Sequence, residues 1–181
     1  MNISAESFTS MLALATLIVH AGIIAFFIGH FFFKKKVRGL KEHFSRNGIT
    51  YALLVSLGAM LGSLYYSDIQ GLEPCLLCWY QRIFMYPLVF IFTLALFRKD
   101  GRAILPYAAF LNFLGLLLAG YHTYLQSGLV TKDGGVTCSI YSEISCTDSY
   151  FIEYGYITIP VLSLTSFVMI AILLWLKKKH G

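Results

Sequence analysis

Four cysteines in two close pairs are the residues of this sequence best suited to chemistry. Two residues separate Cys75 from Cys78, and seven separate Cys138 from Cys146. Thiolates attack disulfides and bind metals, so a close pair can form a redox-active disulfide, half of a zinc site or a structural crosslink. Zinc ligand pairs usually have roughly two to four residues between them, which the second pair exceeds, and a crosslink across one helical turn would constrain very little. We therefore predict that Cys75 and Cys78 are redox-active, with the zinc and structural alternatives left open.

The predicted role of the second pair, Cys138 and Cys146, depends on the role of the first pair. Taken alone, Cys138 and Cys146 would more often form a structural disulfide. They lie in the segment Ser127 to Thr158, and connections of that length are usually functional or mobile. Because two dithiols within reach of each other can exchange through a mixed disulfide, we predict that Cys138 and Cys146 form a second redox pair.

An arginine follows the first cysteine pair within an otherwise apolar stretch. If Cys75 begins a helix, Cys78 shares its face and Arg82 lies on that face about one turn further along. An arginine at the centre of a membrane helix costs about 2.5 to 3.5 kcal/mol on insertion scales, and less near the interface. We predict that its charge stabilises a thiolate or an anionic cofactor oxygen beside Cys78. The alternative is a side chain that reaches outward to the lipid head groups.

Histidines are the remaining candidates for chemistry. His122 and Gln126 lie four residues apart near the predicted outer end of the fourth apolar stretch, so both can face the cysteine-bearing helix. From spacing alone, a functional His122 and a His122 that only forms hydrogen bonds within the protein are equally acceptable. For His20 and His30, in the first apolar stretch, we expect only such hydrogen bonds.

Apolar stretches of membrane-spanning length must position these side chains. The chain is 57% hydrophobic and only 13% charged, whereas soluble domains have about 25% charged residues. At about 1.5 Å per residue, each stretch can cross the roughly 30 Å hydrocarbon core of a bilayer, where backbone facing lipid must be helical. The sequence therefore predicts an all-α integral membrane protein with five transmembrane helices: Phe8 to Phe33, Ile49 to Tyr66, Cys75 to Phe97, Ala103 to Leu125 and Ile159 to Leu176.

Basic residues predict the orientation of these helices. The positive-inside rule places basic clusters in the cytoplasm, which puts the amino terminus, the turn Ser67 to Pro74 and the loop Ser127 to Thr158 outside. All four cysteines then lie on the extracytoplasmic side, where disulfides persist. The net charge of +5 is thus interpreted as membrane orientation and not as a nucleic-acid-binding surface. Twelve of the 14 Lys and Arg residues form three clusters, each directly after an apolar stretch: Lys34, Lys35, Lys36, Arg38, Lys41 and Arg46; Arg98, Lys99 and Arg102; and Lys177, Lys178 and Lys179.

The residues around the first cysteine pair resemble a family signature. The DsbB family of disulfide bond formation proteins, and most closely its BdbC branch, has a signature similar to the run Glu73-Pro74-Cys75-Leu76-Leu77-Cys78-Trp79-Tyr80-Gln81-Arg82, continuing Ile83-Phe84-Met85-Tyr86-Pro87-Leu88. The similarity continues in order through Tyr121 to Gln126, the Cys138 and Cys146 loop and Gly155 to Pro160, and covers about residues 50 to 176. It implies a four-helix redox bundle over residues 48–181, with an extracytoplasmic loop at 127–158. An additional transmembrane helix and a basic cytoplasmic linker would occupy residues 1–47.

The resemblance also implies a function. Such proteins reoxidise an extracytoplasmic thioredoxin-fold thiol oxidase of the DsbA type and pass the electrons to a membrane quinone, ubiquinone or menaquinone, in the bacterial cytoplasmic membrane. By resemblance, the partner attacks Cys138 and Cys146 resolves the mixed disulfide. Cys75 then exchanges with this loop pair, and Cys78 faces the quinone.

Two further residues are assigned to the quinone by the resemblance. Arg82 would lie beside the quinone together with Cys78. His122 matches a family histidine at the quinone pocket, which favours the functional interpretation of that residue.

Two features depart from the family pattern. Residues 1–47 add a helix that moves the amino terminus outside, whereas members often have four helices and a cytoplasmic amino terminus. Cys138 and Cys146 are closer together than in the best-known enterobacterial members, which leaves the order of disulfide exchange open. The alternatives are a vitamin-K-epoxide-reductase-like enzyme and a non-catalytic scaffold or metal-handling membrane protein.

Overall fold

Five helices account for most of the described chain. The computed structural model describes residues 3–32, 38–98, 101–127, 146–147 and 149–180. Each of the five helices is long and apolar enough to cross a membrane. Within the described residues, β pairing is limited to one isolated bridge between Glu153 and Ile157. The predicted all-α membrane fold is therefore confirmed, with helices α1 Ile3–Phe32, α2 Arg38–Leu64, α3 Leu76–Phe97, α4 Leu105–Gln126 and α5 Ile159–His180.

Helix α2 differs most from its predicted span. It begins at Arg38 and not at Ile49, and it continues into a π-helical turn, Tyr65–Ile69. The early part carries polar residues such as Lys41 and Ser45 that are nevertheless buried, which a hydropathy pattern does not show. The proposed division between a linker up to residue 47 and a redox bundle from residue 48 falls inside α2, and this division stays a prediction.

Helices α2 to α5 surround one apolar core. Leu88 and Phe92 of α3 pack with Phe167 and Ile170 of α5, and all four side chains are fully buried. Gly115 of α4 allows α5 to approach closely, because a Cβ atom at this position would lie 2.3 Å from the Phe167 ring. These contacts fix the relative positions of α3, α4 and α5, whose ends carry the candidate site.

Helix α1 packs against α5 at the edge of this bundle. Its exposed side includes Ile18 and Phe31, which are 65% and 77% exposed, as expected for a helix that faces lipid. On its inner side, His20 Nδ1 lies 3.0 Å from the Tyr156 hydroxyl and His20 Nε2 lies 2.8 Å from Thr165 Oγ1. The expectation that His20 forms hydrogen bonds within the bundle is therefore confirmed.

Candidate functional site

Cys75 and Cys78 form a reduced dithiol at the start of α3. Cys75 precedes the helix in extended conformation, and the amide of Trp79 donates to the Cys75 carbonyl with an N to O distance of 3.1 Å. Because residues three apart share a helix face, the two sulfurs lie 3.1 Å from each other, with the Cys75 thiol donating to Cys78 Sγ. The pair is placed to interconvert between a dithiol and a disulfide.

The hydrogen bond between the two cysteines affects the pKa of Cys75. The hydrogen bond that Cys75 donates to Cys78, together with burial, raises the pKa of the Cys75 thiol to about 12, and a contact with His122 opposes this rise. A thiol with a raised pKa is a poor nucleophile, since the thiolate is the reactive form. Cys78 is therefore the sulfur of the reduced pair that is more available for reaction.

His122 of α4 lies against Cys75. Its Nε2 is 3.7 Å from Cys75 Sγ and 3.2 Å from the Cys146 carbonyl oxygen, and its Nδ1 is 2.9 Å from Nε2 of Gln81 on α3. Since the Gln81 amide is a donor, Nδ1 of His122 accepts and Nε2 carries the proton. The buried imidazole therefore presents an N–H group to Cys75 and to the Cys146 carbonyl.

Cys146 of the loop pair is buried beside the helix pair. It lies in one apolar cluster with Cys75, Leu77 and Leu125. Gln126, one turn after His122 on α4, also approaches the Cys146 carbonyl, with Nε2 at 3.4 Å. The structure thus brings Cys146 together with the first pair, whereas Cys138 lies outside the described residues.

Arg82 lies one turn beyond Cys78 and is held by α2. Its Nη2 donates to the Ser63 carbonyl at 3.2 Å, and its guanidinium group stacks over the Trp79 ring at 5.3 Å from the centroid. In the described part of the chain, Arg82 has no acidic partner, and its buried Nε has no hydrogen bond acceptor. The charge is therefore fixed inside the protein and available to a ligand.

A cavity of about 290 Å³ adjoins Cys78. It lies among α1, α2, α3 and α5, and its walls include Cys78, Arg82, Tyr86 and Tyr150. The Tyr86 hydroxyl is buried and, like Arg82 Nε, has no partner among the described residues. His122 is not among the described residues that line this cavity, so the structure places it on the Cys75 side of the dithiol. The role at the quinone that the resemblance implies for His122 stays a prediction.

Sequence reasoning missed two polar residues of this site. Gln81 follows Cys78 by three residues and Tyr86 follows Arg82 by four, so helical spacing from the predicted site residues would have found both. Tyr150, at the end of the loop, donates its hydroxyl to the Glu73 carbonyl at 2.6 Å. No spacing signal predicts that contact, because the two residues come from distant parts of the chain.

Three potential metal ligands also meet at the dithiol. The sulfurs of Cys75 and Cys78 and a ring nitrogen of His122 lie within 4.8 Å of one another. Zinc is usually bound by four ligands, or by three protein ligands and a water molecule. The four-cysteine arrangement considered from the sequence includes Cys138, which lies outside the described residues, so that arrangement stays untested. The set of Cys75, Cys78 and His122 keeps metal binding as a second candidate activity.

Comparisons with known proteins match the helices that carry this site. The family model for disulfide bond formation protein DsbB matches residues 45–176. The chain is 42% identical over 125 residues to disulfide bond formation protein C of Bacillus subtilis (strain 168), covering 69% of this chain and 88% of that protein. It is 41% identical over 119 residues to a probable disulfide formation protein C of Halalkalibacterium halodurans, covering 66% and 84%, respectively. No solved structure gives a significant match.

The fold and the site define a multi-pass membrane protein with a dithiol, Cys75 buried and Cys78 half-buried, at one end of a helical bundle. The chain belongs to the DsbB family of disulfide bond formation proteins. The family and the BdbC-type branch predicted from the motif around Cys75 and Cys78 are therefore confirmed. Helix α1 lies outside the matched residues.

Proposed function

We propose that this protein is a thiol:quinone oxidoreductase that takes electrons from a DsbA-like thioredoxin-fold partner and passes them to a membrane quinone. The observation that carries the proposal is the position of the dithiol between two different environments. Cys75 contacts His122 and is buried with Cys146. Cys78 packs against the same cluster, and it also lines the cavity that contains Arg82. Of the two sulfurs, Cys78 is thus the one described as lining the cavity, where an acceptor could approach it.

On the loop side, the proposed exchange balances in electrons and protons. The partner dithiol attacks a disulfide between Cys138 and Cys146, so the partner leaves as a disulfide and the loop pair becomes a dithiol. The loop dithiol then attacks the disulfide form of Cys75 and Cys78, and the loop disulfide forms again. The burial of Cys146 beside Cys75 supports this order, since an attacking sulfur must reach a disulfide sulfur.

His122 acts in this scheme on Cys75. Attack of the loop pair on Cys75 releases the Cys78 thiolate and forms a mixed disulfide, and the second loop sulfur then resolves it and releases Cys75 as a thiolate. The Nε2–H group of His122, 3.7 Å from Cys75 Sγ, stabilises this leaving Cys75 thiolate. Stabilising the leaving thiolate accelerates thiol–disulfide exchange. The Gln81 amide keeps the ring in the required tautomer by donating to Nδ1. We therefore assign His122 to the exchange step and not to the quinone.

The cavity side fits the head group of a quinone, an apolar ring that carries two carbonyl acceptors. Cys78, Arg82 and Tyr86 would hold it, because a carbonyl oxygen would satisfy the buried Tyr86 hydroxyl and Arg82 Nε, which have no acceptor among the described residues. When bound, a quinone accepts the two electrons and two protons released as Cys75 and Cys78 form their disulfide. The permanent charge of Arg82 would stabilise negative charge on an acceptor oxygen.

The proposed location follows from the basic residues at the opposite end of the bundle. Arg98 follows α3, and Lys177 and Lys178 lie in the last turn of α5, whereas the dithiol lies at the start of α3. By the positive-inside rule, the dithiol end faces the outside of a bacterial cytoplasmic membrane, together with the amino terminus. This orientation puts the loop that carries Cys138 and Cys146 on the same side of the membrane as an extracytoplasmic partner.

Two cysteine variants test the proposed function. Purified protein in detergent receives a reduced thioredoxin-fold oxidase and a quinone, and quinone reduction is followed by absorbance. We expect quinone reduction in the wild type. We expect none in Cys78→Ser with any electron donor, because this variant lacks the sulfur that lines the cavity proposed for the quinone. Cys138→Ser should lose turnover with the protein partner but keep it with dithiothreitol, which reduces the helix disulfide directly. Quinone-coupled turnover in Cys78→Ser would refute the proposal.

The cluster of Cys75, Cys78 and His122 supports metal binding as a second candidate function. Metal handling predicts bound zinc or copper in the purified protein, released when the thiols are alkylated. Metal analysis combined with a count of free thiols separates the two functions. A stoichiometric metal without quinone turnover would favour metal handling over the redox relay.

A further inference from the structure

Helix α1 forms one wall of the cavity beside Cys78, although it lies outside the residues that match the DsbB family. Four of its residues line the cavity, namely Leu12, Ala15, Thr16 and Val19. Their spacing of three and four residues places them on one helix face. The other walls come from α2, α3 and α5. The cavity of this chain is therefore closed by a helix that the matched family region does not contain.

Polar contacts hold α1 in register on both sides of this face. Before Leu12, the Tyr66 hydroxyl donates to Thr9 Oγ1 at 3.1 Å. After Val19, His20 Nε2 lies 2.8 Å from Thr165 Oγ1 of α5. Unpaired polar groups are costly in hydrocarbon, so these contacts determine which face α1 presents to the bundle. Helix α1 is thus a docked wall of the site and not only a lipid anchor.

A second cavity, of about 530 Å³, lies between α1 and the end of α2. The two cavities share Leu12 of α1 and Gly58 and Gly62 of α2 as lining residues. A Cβ atom on either glycine would meet nothing within 4 Å, so both glycines face open space. Leu61 and Ile69 line the second cavity and are 55% and 71% exposed, so this cavity reaches the surface of the bundle. The two cavities therefore adjoin at Leu12, Gly58 and Gly62, and the second one opens to the lipid-facing side.

We propose that α1 and α2 form a passage for the isoprenoid tail of a membrane quinone, bounded by Leu12, Gly58 and Gly62. This inference rests on the proposed quinone function. A quinone head group held at Arg82 and Tyr86 needs an apolar path for its tail to the hydrocarbon. The small and aliphatic residues shared by the two cavities provide that path. Helix α1 thereby determines how strongly this chain prefers long-tailed quinones.

Substitutions at glycines where a Cβ atom has room test the passage. Gly62→Leu and Gly58→Leu should fill it, whereas Gly22→Leu is the matched control, because Gly22 also faces open space but is not among the described lining residues. We expect the KM for a long-tailed quinone to rise about tenfold in the two passage variants and to stay within about twofold in the control. The KM for the same head group without a tail should rise several-fold less than the KM for the long-tailed quinone in the two passage variants, and it should stay within about twofold in Gly22→Leu.

A second measurement does not depend on activity. The long-tailed quinone retained by each purified variant is extracted and quantified per mole of protein, and it should fall in the passage variants but not in Gly22→Leu. Equal effects on tailed and tailless quinones, or no effect in Gly58→Leu and Gly62→Leu, would overturn the passage while leaving the proposed function intact. A wild type that neither reduces nor retains any quinone would refute the proposed function and the passage with it.

Discussion

The two sides of the dithiol differ in how well their polar groups are satisfied. On the Cys75 side, both ring nitrogens of His122 have partners, and the Cys146 carbonyl accepts from His122 and approaches Gln126. On the Cys78 side, buried donors on Arg82 and Tyr86 have no acceptor in the part of the chain that the structure describes.

This difference suggests that the hydrogen-bonded residues on the Cys75 side stabilise the fold, whereas Arg82 and Tyr86 have donors that a ligand could satisfy. A buried hydrogen bond contributes about 0.5 to 1.5 kcal/mol to stability, whereas a buried polar group without a partner costs about 1 to 3 kcal/mol. Truncation on the His122 side should therefore affect both stability and thiol exchange. Truncation on the Tyr86 side should affect acceptor use and leave the free protein as stable or more stable.

The largest effect among the substitutions of these polar residues is expected for Arg82→Ala. A hydrogen bond to a charged group is worth about 1.5 to 3 kcal/mol, so the apparent KM for quinone should rise about 10- to 100-fold. Partner-driven reduction of the Cys75 and Cys78 disulfide, measured by quenched thiol labelling, should change little. Arg82→Lys is the matched control, since it keeps the charge but loses the planar fork and should recover only part of the affinity. An unchanged quinone affinity in Arg82→Ala would remove this residue from the acceptor site.

A smaller effect, on thiol exchange and not on quinone affinity, is expected for His122→Ala on the other side of the dithiol. Loss of the N–H group beside Cys75 should slow exchange with the loop pair about tenfold, with the KM for quinone within about twofold. The same quenched thiol labelling measures the exchange rate. His122→Gln can still donate a hydrogen bond and should retain more of that rate. A raised quinone KM with normal exchange would return His122 to the quinone pocket, as the family resemblance implies.

The sequence was sufficient to predict the five helices and the close approach of Cys75 and Cys78 at the start of one of them. Hydropathy located all five helices because lipid imposes helical backbone on any apolar stretch of spanning length. It could not show where α2 begins, because the burial of Lys41 and Ser45 depends on packing against other elements.

The sequence also could not show which residues contact Cys75 and which contact Cys78. Spacing on one helix shows which residues share a face, but not which neighbouring helix that face meets. Spacing therefore did not predict that His122 contacts Cys75, and its role at the quinone, implied by the resemblance, stays a prediction. The role of α1 as a cavity wall depends on contacts between distant residues, such as those between His20 and Thr165.

The smallest effect is expected for Tyr86→Phe, which removes only the unpartnered hydroxyl. Because that hydroxyl lacks an acceptor in the described free protein, its removal should leave the melting temperature equal or slightly higher. The KM for quinone should nevertheless rise about threefold to tenfold, and the thermal stabilisation by added quinone should shrink. Tyr51→Phe is the matched control, since the Tyr51 hydroxyl lies 2.9 Å from Nε2 of His43, and neither residue is among those described as lining the cavity. A Tyr86→Phe variant that melts earlier but binds quinone normally would mean that the hydroxyl stabilises the fold and that the contrast between the two sides is wrong at this residue.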